Sequence, residues 1–165
     1  MATIGLELVD AGLIAVRDGV RVAASPGVAL IDPDGLLVGE PAAAALRLRP
    51  VLLADRFWSD LAADAMVQSA ATAISYADLA YAHLSQLWNA IARADDQVVL
   101  AVPGTMQLSQ VGLALGIAKS IAMPVAGVVD SAVAACAGLP ARASVLHLDI
   151  HLHQAALTEL QGETL

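Results

Sequence analysis

Short apolar runs separated by turn residues fill the first 40 positions of the chain, which is typical of β-strands joined by tight connections. The turn Asp32-Pro33-Asp34-Gly35 predicts that the last two runs form a hairpin. Pro41 then opens a helical turn over residues 42–48. The front of the chain is therefore predicted to be an antiparallel β-meander, with strands at residues 4–8, 13–17, 28–31 and 36–38.

The middle of the chain changes to a helical period. Between Asp60 and Ala94, apolar residues recur at steps of three and four positions, so we expect one long helix or two helices there. The aromatic residues Tyr76, Tyr81 and Trp88 lie within this stretch. At such spacing, aromatic side chains usually pack a core or an interface.

The last third of the chain alternates strands and helices. Residues 98–102 and 125–129 are continuous apolar runs that indicate buried strands, and helical patterns follow at 107–121 and 131–137. Strands in that order usually pair in parallel through right-handed crossovers. We therefore expect an α/β fold in which helices flank a mixed five-stranded sheet.

Residues 145–152 form a predicted strand with the densest chemistry of the chain, and residues 154–160 are its expected hairpin partner. Side chains two positions apart share one face of an extended strand. The polar ones on that face are His147, Asp149, His151 and His153. Imidazoles at this spacing can chelate zinc or nickel, so His147, His151 and His153 are a candidate metal set. The alternatives are a solvated polar face, or a face that meets a partner and responds to pH near neutrality.

Composition excludes several classes of protein. Sixteen acidic and eight basic residues give the 165-residue chain a net charge of -8, which argues against a nucleic-acid surface. The uncharged run 97–118 has the length of a membrane span, but Pro103-Gly104 divides it into strand, turn and helix. The N-terminus has no signal-peptide pattern, and Cys136 is the single cysteine. We expect a cytoplasmic protein without a membrane span.

Several segments of the chain, taken in order, resemble motifs of one known family. Residues 25–29 and 34–42 are similar to the family's Thr-Pro-Ser-Val-Val and Val-Gly-Asp-Ala-Ala segments. Residues 99–103 resemble its Ile-Thr-Val-Pro strand end, and residues 129–135 its Asn-Glu-Pro-Thr-Ala-Ala-Ala helix start. In order and spacing these pieces resemble the first half of the ATPase domain of the seventy-kilodalton heat-shock chaperones, a member of the actin-like ATPase superfamily with a ribonuclease H-like fold.

The resemblance implies a domain organisation and a cofactor. Residues 1–56 and 97–165 would form the first subdomain of an actin-like ATPase, and residues 57–96 a small helical insertion. In the superfamily, ATP or ADP with magnesium lies between two similar domains, of which this sequence contains one. Either a second domain is missing, or a homodimer or another protein partner covers the apolar surface that remains.

Both phosphate loops depart from the family pattern. The first, Asp-Leu-Gly-Thr-Thr in the chaperones, falls on residues 7–11, so Glu7, Val9 and Asp10 would line the phosphates. Val9 replaces a glycine there, and Asp10 brings a charge of the same sign as the phosphate. The second loop falls on residues 149–154, with His151 and His153 at glycine positions. A β-carbon at such positions hinders the positive φ angles and the close backbone approach that a phosphate loop needs.

Three acids and one base complete the site that the resemblance implies. Asp149 matches the aspartate of the second loop, and Asp130 stands in for a family glutamate. Together with Glu7 they would hold a hydrated magnesium ion. Arg56 lies near the position of the lysine that orients the attacking water, although a guanidinium cannot serve as a deprotonatable amine. Asp130 also suits a helix N-cap.

Three functions fit these residues. The first is a divergent chaperone-type ATPase domain fragment with weak or lost ATP binding and hydrolysis. The second is a non-catalytic module that keeps an actin-like fold for a protein partner or for dimerisation. The third is a histidine-rich metal-binding module. Whether the chain is an enzyme stays open, because the phosphate-loop glycines and half of the site are missing.

Overall fold

The computed structural model describes residues 2–32, 35–48, 53–64, 66–68, 73–139 and 144–161. Pro33 and Asp34, in the predicted hairpin turn, lie outside these ranges. The helices are α1 (Glu40–Ala45), α2 (Tyr76–Ile91), α3 (Leu108–Ser120) and α4 (Ser131–Cys136). The strands are β1 (Ala2–Val9), β2 (Gly12–Arg17), β3 (Val20–Pro26), β4 (Ala29–Asp32), β5 (Gly35–Val38), β6 (Leu53–Ala54), β7 (Met66–Gln68), β8 (Ala73–Ser75), β9 (Asp96–Val102), β10 (Val125–Asp130), β11 (Val145–Ile150) and β12 (Ala155–Leu160).

A mixed five-stranded sheet forms the centre of the fold, in the order β10-β9-β1-β2-β3. β9 lies parallel to both β1 and β10, whereas β2 is antiparallel to β1 and β3. Alternation along β1 buries Ile4, Leu6 and Leu8 on one face of the sheet. The predicted α/β class and mixed sheet are confirmed.

Helix α2 packs into the same core as the sheet. Its buried side chains include Leu79, Leu84 and Trp88, and they join the apolar cluster that contains Ile4 and Leu100. The amphipathic period of this stretch fixes which side of the helix faces the sheet. The division of the chain at residues 57 and 96 stays a prediction.

The predicted helix from Asp60 is wrong over its first half, because the helix begins at Tyr76. Ser75 Oγ accepts a hydrogen bond of 3.1 Å from the Asp78 N–H, and Asp78 Oδ2 accepts one of 3.0 Å from the Ser75 N–H. This reciprocal capping box satisfies two free amides at the helix start. The short strands β7 and β8 precede it and pair with each other.

The five strands of the central sheet differ from the expected set. β3 is an edge strand whose residues are exposed or half-buried, so its sequence lacks the apolar alternation that marks a strand. The predicted strand at residues 145–152 does not join the sheet, since β11 pairs only with β12 among the described residues. The hairpin predicted at the Asp32-Pro33-Asp34-Gly35 turn is confirmed as the pairing of β4 with β5.

A buried ion pair closes the end of the sheet at which β1 begins. Arg17 of β2 contacts Asp96 of β9 at 2.6 Å and also donates to the carbonyl oxygen of Ile91 at 2.6 Å. Hydrogen bonding from Arg17 lowers the pKa of Asp96.

No helix in the described residues is long and apolar enough to cross a membrane. The carboxyl ends of β1 and β9 lie at the other end of the sheet.

Candidate functional site

The first turn of the chain, residues 10–11, joins β1 to β2. It lies at the carboxyl end of β1, where ligands commonly bind in open α/β sheets. Two glycines allow the turn to pack tightly against the end of β3. A β-carbon on Gly27 would lie 2.1 Å from the carbonyl oxygen of Asp10, and one on Gly12 would lie 2.2 Å from that of Ser25. Gly12 also has a φ of +147°, which disfavours other residues. These glycines hold Asp10 in place.

Asp10 is buried and binds the backbone of the second turn, between β11 and β12. Its Oδ1 accepts a hydrogen bond of 2.9 Å from the Leu152 N–H, and its Oδ2 accepts one of 2.8 Å from the His153 N–H. Hydrogen bonds from amides to a carboxylate are stronger than those between neutral groups. Both oxygens of Asp10 are therefore engaged by the loop that resembles the second phosphate loop.

His151 and Asp149 flank this contact. His151 is buried; its Nδ1 lies 3.9 Å from Asp10 Oδ1 and its Nε2 lies 3.0 Å from Asp149 Oδ2. The angle at Nε2 does not give a hydrogen bond. The His151 N–H donates to the carbonyl oxygen of Gln154 at 2.8 Å and closes the turn. His151 thus stands between two carboxylates, and its backbone N–H is already engaged.

His153 links the second turn to the segment that follows β6. Its Nε2 lies 3.3 Å from Asp55 Oδ2. Arg56, the next residue, is exposed, and its carbonyl oxygen accepts hydrogen bonds from Ser59 Oγ and from the Asp60 N–H. The structure therefore places Asp55, which the sequence did not single out, at the site.

Two of the acids that were predicted to hold magnesium, Asp130 and Glu7, make different contacts. Asp130 is the N-cap of α4, and its Oδ1 accepts a hydrogen bond of 2.8 Å from the Ala132 N–H. Glu7 is half-buried within β1, opposite Ile14 of β2 and Ala101 of β9. Among the described residues, no three His, Cys, Asp or Glu side chains are arranged to hold a metal ion. The arrangement therefore supports neither predicted metal set, and both stay predictions.

A narrow cleft separates the ends of β1 and β9 from the second turn. Its lining includes Val9, Asp10, Thr105, Gln110 and Gln154, and its volume is ≈ 20 Å³. A water molecule needs about this much space. The residues of the second turn do not fit a phosphate in this arrangement, because the amides that would meet it already bind Asp10.

The histidine outside the hairpin, His83, belongs to a buried network on α2. Trp58 Nε1–H donates to His83 Nδ1 at 3.0 Å, so Nε2 carries the proton and donates to Ser25 Oγ at 2.8 Å. Burial lowers the pKa of His83 to about 4. In this tautomer the imidazole cannot take a proton from Ser25, so the pair joins β3 to α2 and is not an activated nucleophile.

The fold is similar to that in the crystal structure of MreB5 of Spiroplasma citri bound to ADP. The TM-score is 0.69 at 17% sequence identity, over 97% of this chain and 48% of that one. The chain has an actin-like ATPase fold. It spans about half the length of MreB5. Neither protein-family profiles nor curated proteins give a match to the sequence.

Val9 ends β1 and Asp10 begins the first turn, whereas His151 and His153 lie in the second turn. The roles that the resemblance implies for them stay predictions. Asp10 was interpreted as a residue that would repel a phosphate, whereas it binds the amides of the opposite turn. Asp10 follows directly on a run of alternating buried residues, which is the signal that could have indicated its burial.

Proposed function

We propose that this chain is a non-catalytic protein-interaction module built on an actin-like fold, in which Asp10 replaces a nucleotide phosphate. The contact of Asp10 with the Leu152 and His153 amides carries the proposal. In the superfamily, backbone amides of the two phosphate loops converge on the nucleotide. Here a side chain of the first turn binds the amides of the second, so the turns hold each other without a ligand.

Charge and loop shape both disfavour a phosphate at the second turn. A phosphate at the second turn would displace Asp10 and then lie beside its carboxylate, which is unfavourable for two like charges in a poorly solvated place. Val9, His151 and His153 replace flexible glycines, so the loop backbone cannot wrap around a larger anion. MreB5 is bound to ADP in its crystal structure. We infer that the present chain has lost that ability along with hydrolysis.

The chaperone-type ATPase is the alternative that this proposal replaces. Its activity needs a magnesium site, a positioned water and a phosphate cradle, and Glu7, Asp130 and Asp149 do not form a group that could hold a cation. The exposed Arg56 makes no hydrogen bond through its side chain among the described residues. The fold is thus retained for its surfaces.

Isothermal titration tests the proposal. Mg-ATP and Mg-ADP are titrated into the wild-type chain, into Asp10→Gly, and into Asp95→Ala as a control for loss of one exposed acid. We expect no saturable heat with wild type or Asp95→Ala up to about millimolar nucleotide, which corresponds to less than about 4 kcal/mol of binding free energy. Saturation of the wild type at micromolar nucleotide would instead favour the divergent ATPase.

A further inference from the structure

The β11–β12 hairpin lies outside the hydrophobic core. Within the described residues, the buried core cluster and the side chains packed against it include nothing beyond Val125, and therefore no residue of either strand. The large apolar side chains of β11 point outward: Leu146, Leu148 and Ile150 have exposed fractions of 67%, 60% and 75%. Because apolar burial is the dominant favourable contribution to folding, the core contributes little to holding the hairpin in place.

The inner face of the hairpin packs on α4, which contacts both strands. The members of this face are half-buried and include both apolar and polar side chains, namely Val145, His147, Asp149, Ala156, Thr158 and Leu160. On α4, Ala132 and Cys136 are buried but do not belong to the core cluster. The contact between α4 and the hairpin is thus a small satellite of the core.

The second turn attaches the hairpin to the rest of the chain, which we call the body. Asp10 accepts hydrogen bonds of 2.9 Å and 2.8 Å from the Leu152 and His153 amides, and His153 Nε2 lies 3.3 Å from Asp55 Oδ2. In the described part of the chain, the two bonds to Asp10 are the only hydrogen bonds between residues 144–161 and the body. The Asp10 side chain is fully buried, which strengthens both bonds.

A two-stranded ribbon has little stability of its own. Among the described residues, β11 and β12 pair only with each other, and such a ribbon is marginal in water without further packing. Segments with few buried apolar contacts open at a lower free-energy cost than the whole fold. We propose that the hairpin is a strap that leaves the body as a unit while the central sheet stays folded, with Asp10 as its clasp.

Release of the strap changes the groups that the site presents. It uncovers the carboxylate of Asp10 on the body and frees the Leu152 and His153 amides on the hairpin, which satisfy one another in the closed state. The closed and open states therefore offer different surfaces to a partner. The strap goes beyond the proposed function and does not depend on it, since it concerns only how the hairpin is attached.

Native-state hydrogen exchange, followed by ¹H–¹⁵N NMR on the wild-type chain without nucleotide, tests the strap. The Leu152 and His153 amides report its release directly, because their acceptor lies on the body. The reference is the amide of Val98, a fully buried residue of β9 whose N–H donates to the carbonyl oxygen of Pro124 at 3.0 Å. We expect the Leu152 and His153 protection factors to be at least about tenfold lower than that of Val98. A smaller difference would overturn the inference.

A core substitution separates release of the strap from unfolding of the body. Ile4→Val removes a methyl group from a fully buried side chain of β1. It should speed exchange at Val98 by about three- to tenfold and leave Leu152 and His153 unchanged, because release of the strap does not disturb the core. Equal acceleration at all three amides would show that the hairpin opens only when the whole chain unfolds, and would overturn the strap.

A substitution at the clasp tests whether the hairpin opens as a unit. Asp10→Asn should speed exchange by at least about tenfold at Leu152 and His153 and also at the paired amides of β11 and β12. Asp95→Ala, which removes an exposed acid, is the matched control and should leave these rates unchanged. Acceleration confined to Leu152 and His153 would overturn the unit. Because no nucleotide is present, either result is independent of the titration that tests the proposed function.

Discussion

Asp10 Oδ2 accepts a 2.8 Å hydrogen bond from the backbone N–H of His153, a residue 143 positions further along the chain. With the neighbouring bond from the Leu152 N–H, it joins the first turn of the fold to the last hairpin. A carboxylate that accepts two amides in a buried place performs the binding that a bound anion would otherwise supply. The contact thus ties the last hairpin to the first turn and occupies two amides that a phosphate would otherwise meet.

Removing this carboxylate should destabilise the protein. Asp10→Ala leaves two amides without their partner, and we expect the free energy of unfolding to fall by about 2–4 kcal/mol. Asp10→Asn should lose nearly as much, because its NH₂ group would face an amide N–H. Urea denaturation measures the change. Asp95→Ala, which removes an exposed acid, should change stability by less than about 0.5 kcal/mol. Equal stability of Asp10→Ala and wild type would show that the contact contributes nothing.

The buried His83 should make stability depend on pH. Its folded pKa of about 4 lies below the ordinary value of 6.5, so the unfolded chain takes up the proton first as the pH falls. The stabilisation is complete above about pH 6.5 and is lost towards pH 4, by roughly 3 kcal/mol in all.

Chemical denaturation at pH 7, 6, 5 and 4 measures that loss. His83→Gln serves as the reference, since it cannot titrate in this range. Asp78 and Asp96 have lowered pKa values, so their contributions are lost only as the pH falls below about 4. A wild-type curve parallel to that of His83→Gln between pH 6.5 and pH 4 would contradict a neutral, buried His83.

The start of α2 depends on its capping box. Ser75→Ala removes the acceptor of the Asp78 N–H and should lower the free energy of unfolding by about 1 kcal/mol. Hydrogen bonds from Ser75 lower the pKa of Asp78. The substitution should therefore also raise that pKa, which carboxyl NMR can follow. Ser85→Ala, in the middle of the same helix, should be neutral or slightly stabilising because alanine favours the helix.

Sequence patterns predicted the parts of the fold that depend on local chemistry. Continuous apolar runs located β9 and β10, and turn residues located the β4–β5 hairpin. β3 was missed because an edge strand buries little on either face. The helix start at Tyr76 was missed because the apolar spacing continues across the boundary, and only the Ser75–Asp78 pair reveals it.

The contact between the two turns could not be predicted from the sequence. The resemblance only assigned Asp10 and His153 to the two phosphate loops. Their hydrogen bond joins residues 143 positions apart, and no local pattern encodes a pairing of a side chain with a distant backbone amide. The direction of the hairpin faces was likewise hidden, since the alternation of leucine and histidine in β11 does not say which side is covered.

The amide resonances of Leu152 and His153 test the central claim most directly. In a two-dimensional ¹H–¹⁵N spectrum, both should lie downfield in the wild type, because a carboxylate accepts their hydrogens. Both should move in Asp10→Asn and stay in place when Mg-ADP is added to the wild type. Saturable movement of the Leu152 and His153 signals with Mg-ADP would show that a nucleotide displaces Asp10, and would contradict the account.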